Sequence, residues 1–182
     1  FAGRLRVQIA LDPGRIPRTD VVAVNLDTRD ICVAVARTRL KIASDLVHIR
    51  KPQLFLKKID STFRGNTFEE IAICLELLPH EIAILAPAFP ALGRTVRTGH
   101  LLIEDIAGRS ALDLISGLRK QKVDCCLLNM RPGMTTKSRE RCIKIAKEDG
   151  AQLLLCDAET QVDLDLLARV GLGLNILWFG SA

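Results

Sequence analysis

The sequence predicts an α/β fold, a three-layer, open and mostly parallel sheet with helices on both faces, Rossmann-like in outline. Three observations predict it. Short apolar runs alternate with helical patterns along the chain, the runs are continuously apolar rather than alternating in polarity, and cap or breaker residues separate them. Continuous apolar strands imply burial on both faces, which a parallel sheet between two helix layers requires.

The elements follow in order. Strands are expected at 5–11, 21–26, 53–56, 82–86, 124–129, 152–156 and 175–179. In the first helix, Ile31, Ala34, Val35, Thr38, Ile42, Leu46 and Ile49 trace one face, and Pro52 ends it. A second helix carries Phe68, Ile71, Leu75 and Leu78 and stops at Pro79; a third is expected over 110–118 and a fourth over 137–149, ended by Gly150. The last begins at Thr160, with Asp163 in place of the Glu or Gln of a capping box and Leu164, Leu166, Leu167 and Val170 as its apolar surface. Repeats and flexible linkers are absent, and the one Gly-Pro-rich connection is Arg131-Pro132-Gly133.

At 182 residues the chain reads as one α/β domain, 1–182, able to bury a sizeable core. Its ends look cut: it opens on Phe1 without an initiator Met and stops just past an apolar strand. Hydrophobic residues make up 48% and charged residues 26%, with no run as long as a membrane span, so a soluble protein without membrane association is expected. A net charge of +5 suits anionic ligands, but the basic residues are scattered and aromatics are only 4%, which argues against nucleic acid as a partner. Six cysteines without a CxxC pair and three histidines without metal spacing read as buried small hydrophobes in a reducing, cytoplasmic compartment, with no metal site.

Chemistry in an open parallel sheet belongs at the carboxyl ends of the strands. One such end stands out: Lys57-Lys58-Ile59-Asp60-Ser61-Thr62-Phe63-Arg64-Gly65-Asn66 packs three cations, a carboxylate and two hydroxyls between a strand and a helix. Asn66 can cap that helix, so its free N–H groups and positive end face the same spot, the build of an anion site. An ordinary surface turn would need one capping side chain, not five hydrogen-bonding ones. Arg29, at the end of the second strand, could grip a carboxylate bidentately or pair locally with Asp27 or Asp30; Arg94, beside Thr95, offers the same alternatives. Residues 86–95, with two prolines and a glycine, are expected to form a stiff pocket wall. No GxxxxGK[ST] is present, and Gly171-Leu172-Gly173 lacks the third glycine of a dinucleotide fingerprint. No Ser-His-acid or Cys-His arrangement emerges, and His100 reads as surface loop.

Lys58-Ile59-Asp60-Ser61-Thr62-Phe63-Arg64-Gly65-Asn66, together with Ala86-Pro87-Ala88-Phe89-Pro90 and Gly93-Arg94-Thr95, resembles the four-carbon acid sugar kinase family, and the likeness runs through nearly the whole chain. The resemblance implies an amino-terminal domain that binds the acid sugar, with a second, carboxy-terminal domain holding ATP and magnesium, and phosphorylation of threonate, erythronate or oxo-tetronate at a terminal hydroxyl. It implies substrate contacts from Arg29, Lys58, Ile59, Asp60 and Ser61 and a pocket shaped by Arg64 and Asn66; Arg94 and Thr95, in the stiff loop after the fourth strand, are secondary pocket candidates. Asp60 is the candidate proton acceptor, and a homo-oligomer is compatible with this reading. The family's opening Asp-Asp-x-Thr-Gly motif, which supplies a substrate-contacting aspartate, has no counterpart here, and its Asp-Thr-x-Ser-Arg pattern stands as Asn25-Leu26-Asp27-Thr28-Arg29. A non-catalytic module for small organic acids is the alternative.

Overall fold

A computed structural model describes residues 5–11, 19–106, 108–129, 134–170 and 175–181. Arg131-Pro132-Gly133 and Gly171-Leu172-Gly173 lie outside them. Its centre is a five-stranded, all-parallel sheet in which β3 (Phe55–Lys58), β10 (Ile176–Gly180), β4 (Ile82–Ala86), β9 (Leu153–Cys156) and β8 (Cys125–Leu128) lie side by side in that order.

The apolar runs behave as their composition demands. Ile82, Ala83, Ile84 and Leu85 are all fully buried, as are Leu153 and Leu155, so successive side chains enter opposite cores. On one face Ala83, Leu85, Leu153, Leu155, Leu177 and Phe179 pack with Ile71, Ile73 and Cys74 of α2 (Thr67–Leu77) and Leu114 and Leu118 of α3 (Leu114–Lys120). On the other, Ile82, Ile84, Leu154, Cys156 and Ile176 meet Ile143 of α4 (Thr136–Glu148) and Leu167 and Val170 of α5 (Gln161–Val170). Cutting any of these leucines to alanine would cost about 2–5 kcal/mol. This is the expected three-layer α/β architecture.

Some expectations need correction. β1 (Val7–Ala10) and β2 (Val21–Val24) pair in parallel with each other but form a separate two-stranded sheet. In α1 (Val33–Arg50) the buried stripe is Ala36, Leu40 and Ser44, whereas Val35, Ile42 and Ile49 of the expected face are exposed. The helix carries apolar residues on more than one side, and the side that turns inward is the one with Leu40 between Ala36 and Ser44.

Residues 94–113, read as loop and the start of a helix, instead form a three-stranded antiparallel sheet of β5 (Arg94–Arg97), β6 (His100–Asp105) and β7 (Gly108–Asp113). His100 thus opens a strand, though it is exposed as expected. Thr98 and Gly99 join β5 to β6 with φ of +49° and +78°, the pair of positive values that a two-residue hairpin turn needs. Asp157, at the end of β9, accepts their N–H groups at 2.8 and 3.0 Å and fixes the hairpin onto the main sheet. The third helix accordingly starts at Leu114, where the Asp113 side chain accepts the Ser116 N–H at 2.9 Å. The fourth and fifth helices begin within a residue of their expected starts, α5 with Thr160 and Asp163 capping each other's N–H groups.

At the carboxyl edge the ladder carries β3 onward: the Ile59 N–H donates to Gly180 O at 2.8 Å, and the Ser181 hydroxyl donates to Pro87 O at 2.8 Å. The turn after β3, the end of β10 and the Pro87 segment therefore share one rim.

Candidate functional site

Strand alternation separates the two lysines. Lys57 turns inward and forms an ion pair with Glu70 of α2, the two side chains being only 15% and 7% exposed. Lys58 turns outward, is exposed, carries no carboxylate partner among the described residues, and donates from Nζ to Ile59 O at 2.8 Å. Of the adjacent cations, then, Lys57 is spent on the fold and Lys58 is free. Ile59 itself is buried, so only its backbone can face a ligand. Ser61 is half-buried, and its hydroxyl has no protein partner among the described residues.

Asp60 organises the turn. Its Oδ1 accepts the Thr62 N–H at 2.9 Å, the Thr62 hydroxyl at 2.7 Å, and the Arg64 N–H and Nε at 3.3 Å each. Its Oδ2 accepts Arg64 Nη2 at 3.1 Å and Arg29 Nη1 at 3.4 Å. Burial opposes the charged form, but the bonds from Arg64 and Thr62 outweigh it and hold the carboxyl far below the usual carboxylate range. A group so committed to its donors is a very weak base. Phe63, buried and packed on Phe68 with ring centroids 4.9 Å apart, has φ of +57°, a strained value for an aromatic residue.

Arg29 arrives from the loop after β2, and the interaction that matters was one the local sequence could not offer: besides Asp30, with Nε at 3.0 Å, it reaches Asp60. Asn66 brings it there. Instead of capping α2 with its side chain, Asn66 donates from Nδ2 to Thr28 O at 2.9 Å and Ile31 O at 2.6 Å, while its N–H donates to Arg29 O at 3.1 Å. Gly65, with φ of +65°, lies directly under Arg29 O. From the other side Arg39, which no local pattern in the sequence singles out, donates from Nη1 to Leu26 O and Asp27 O at 2.8 Å each.

Arg29, Asp60, Thr62, Arg64 and Asn66 thus form one connected cluster, with Lys58 and Ser61 on the same turn. Arg29 and Arg64 pair with the two carboxylates, Asp30 and Asp60, while Lys58 has no carboxylate partner among the described residues. Arg29 and Arg64 remain 53% and 69% exposed, so both guanidinium groups keep donors open to solvent. Arg94 and Thr95 do not join them: Arg94 Nη1 donates to Leu92 O at 2.9 Å, its Nε is buried without a partner, and Thr95 pairs with Leu102 in the hairpin. A groove of about 640 Å³ between β8 and α4 lies at the opposite edge of the five-stranded sheet. Among the described residues no group of three or more His, Cys, Asp or Glu stands where it could hold a metal ion.

Comparison with known proteins adds a lineage to this geometry. The family described as a sugar-binding N-terminal domain matches residues 4–182. A D-erythronate kinase from Heliobacterium modesticaldum is 31% identical over 84% of this chain and 38% of its own length. A D-threonate kinase from Cupriavidus necator is also 31% identical, over 91% of the chain and 43% of its own length, and a 3-oxo-tetronate kinase from the same organism is 25% identical over the same shares. The chain spans about two fifths of the length of these relatives. Among solved structures, a Bordetella bronchiseptica protein described as a domain of unknown function, a domain-swapped dimer with bound citrate, superposes with a TM-score of 0.80 at 26% identity, covering 98% of this chain and 48% of that one. A Haemophilus influenzae protein at 19% identity, with a TM-score of 0.78 over 96% of this chain and 47% of its own, shares the fold.

Proposed function

Because the chain belongs to the family of sugar-binding N-terminal domains, we propose that the turn 58–66, with Arg29, grips the carboxylate of a four-carbon sugar acid and presents its hydroxyls for phosphorylation. One observation carries the reading: an exposed Lys58 without a carboxylate partner among the described residues leads into a turn whose Asp60 already holds two arginines, Arg64 of the same turn and Arg29 of the loop after β2. An anion entering there meets donors whose geometry is fixed beforehand, so little ordering is left for binding to accomplish. Ser61 supplies a free hydroxyl for the polyol. The names of the relatives support threonate, erythronate or 3-oxo-tetronate as the substrate type, and citrate in the Bordetella structure supports a carboxylate ligand.

In this reading the protein is one part of an ATP-dependent kinase, and a separate nucleotide-binding domain supplies ATP and magnesium. Phosphoryl transfer asks a sugar-binding domain mainly for alignment and charge stabilisation. Asp60 serves as the positioning carboxylate, its bonds to Arg29 and Arg64 outweighing its use as a base. The alternative, a binding module without transfer chemistry, draws on the same fact: no strong base stands in the turn. Free thiols at all six cysteines support a reducing cytoplasm, and the dimeric Bordetella structure supports self-association.

Calorimetric titration of this chain with D-threonate, D-erythronate and neutral erythritol tests the proposal. The acids bind and erythritol does not, and Lys58→Ala weakens the acids about ten- to a hundredfold, the loss of a charged hydrogen bond of roughly 1.5–3 kcal/mol. Equal affinity for acid and neutral polyol, or an unchanged Lys58→Ala, refutes it. Phosphorylation by the chain joined to a nucleotide-binding domain separates kinase from binding module.

A further inference from the structure

We infer that Arg39 is a positioning residue for the acid-sugar site, holding the 25–31 loop in the one conformation that delivers Arg29 to Asp60. The inference rests on the reading above for its effect on binding, though not for its effect on the loop. Arg39 stands in the second turn of α1, and helical side chains lean back toward the amino terminus, so its half-buried guanidinium lies over the loop that leads into the helix. There Nη1 donates to two successive carbonyl oxygens, Leu26 O and Asp27 O, at 2.8 Å each. Two consecutive carbonyls converge on one nitrogen only when the chain kinks between them, and Asp27 supplies the kink with φ of +46°. Its N–H closes the same bend on Asn25 Oδ1 at 3.1 Å.

The loop is therefore held at two points. Arg39 grips it before Arg29, and Asn66 grips it on both sides of Arg29, through Thr28 O and Ile31 O and through its own N–H on Arg29 O. Release of the first grip lets Asp27 relax to an ordinary φ, which redirects the chain up to Thr28. Arg29 then loses its line to Asp60, a contact that is already long at 3.4 Å. Arg39 itself touches no ligand. It acts through Arg29.

Two measurements on the whole chain test this, using Arg39→Met, which keeps the stem and removes the fork, and Arg39→Lys, which restores a cation able to bridge the two carbonyls. Amide hydrogen exchange reads the loop directly: the Asn66 N–H, bonded to Arg29 O, exchanges about tenfold faster in Arg39→Met and returns toward the wild-type rate in Arg39→Lys. Titration with D-threonate and D-erythronate reads the consequence: affinity falls about tenfold in Arg39→Met and recovers in Arg39→Lys, at a temperature where all three proteins are folded. An unchanged Asn66 exchange rate, or faster exchange with unchanged affinity, overturns the inference. A lowered melting temperature with unaltered affinity assigns Arg39 to the fold alone and also overturns it. Failure of the wild-type chain to bind either acid defeats the functional reading instead, and the exchange result still decides whether Arg39 holds the loop.

Discussion

Replacing Gly65 by alanine tests how tightly the two halves of the site are joined. A Cβ there would stand 2.1 Å from Arg29 O, 2.6 Å from Arg29 Cγ and 2.9 Å from Arg29 C. The obstruction is backbone, not the far end of a flexible side chain, so the 25–31 loop has to recede by roughly 1 Å to recover even a 3.0 Å separation. Such a shift breaks the bond from Asn66 N–H to Arg29 O and stretches both Asn66 Nδ2 bonds. Three hydrogen bonds at about 1 kcal/mol each, with about 1 kcal/mol for an L-residue at φ of +65°, give roughly 4 kcal/mol. For a domain of this size that is a fall in melting temperature of about 8–16 °C.

Gly150→Ala is the control, since Gly150 has φ of +84° but a Cβ added to it would meet nothing within 4 Å. It should cost only the conformational term, about 1 kcal/mol or 2–4 °C. Thermal and urea unfolding followed by circular dichroism would measure both. If Gly65→Ala melts within about 2 °C of Gly150→Ala, the close contact between loop and turn is not real, and the assembly of Arg29 with Asp60 falls with it.

Further outcomes follow from the same contacts. Lys57→Met leaves Glu70 buried and unpaired and should cost about 3–5 kcal/mol in urea unfolding, while pairing it with Glu70→Leu restores most of that; Lys58→Ala should leave stability untouched. Asp60 has a folded pKa below its unfolded value of about 3.9, so its contribution is fully present above that pH and is lost as pH falls below about 4. Asp60→Asn should therefore show a shallower acid loss of stability than wild type, and identical acid profiles would contradict the role given to Arg29 and Arg64. Burial pushes the Cys74 thiol up to about 12 and raises Cys156 further, whereas Cys32 and Cys126 are exposed. Iodoacetamide on the native protein should modify Cys32 and Cys126 first, read by peptide mass spectrometry, and early modification of Cys156 would speak against the packing of β9.

The inner strands were legible because a doubly covered parallel strand announces itself as an unbroken apolar run, as Ile82-Ala83-Ile84-Leu85 does, whereas the edge strand β3 is Phe-Leu-Lys-Lys and lies two residues beyond the expected 53–56. The hairpin of 94–113 was not, because its signals are weak: Thr98-Gly99 stands where a two-residue turn more often carries Asn-Gly, and Ser110 imitates a helix cap. The inward face of α1 was misread because hydrophobic periodicity counts Val35, Ile42 and Ile49, whereas close packing against a neighbour favours small Ala36 and Ser44.

The candidate site divided along similar lines. Everything local to the turn, Lys58, Asp60, Thr62 and Arg64, could be read from density of donors in one short segment. What could not be read is any bond that spans distant sequence: Arg29 to Asp60 across 31 residues, Asn66 to Thr28 across 38, Arg39 to a loop that precedes its own helix. Those long-range bonds decide the roles. Taken locally, Asp60 is the single acid in a basic turn and a natural proton acceptor; with Arg29 and Arg64 on its oxygens it becomes the fixture that holds two mutually repelling cations side by side. Removing its charge should accordingly weaken acid binding by disordering Arg29 and Arg64, even though a negative charge has been taken away from the proposed anion site. A rise in affinity on Asp60→Asn, as simple charge counting demands, would show that the cations need no fixture and that the turn binds anions by charge alone.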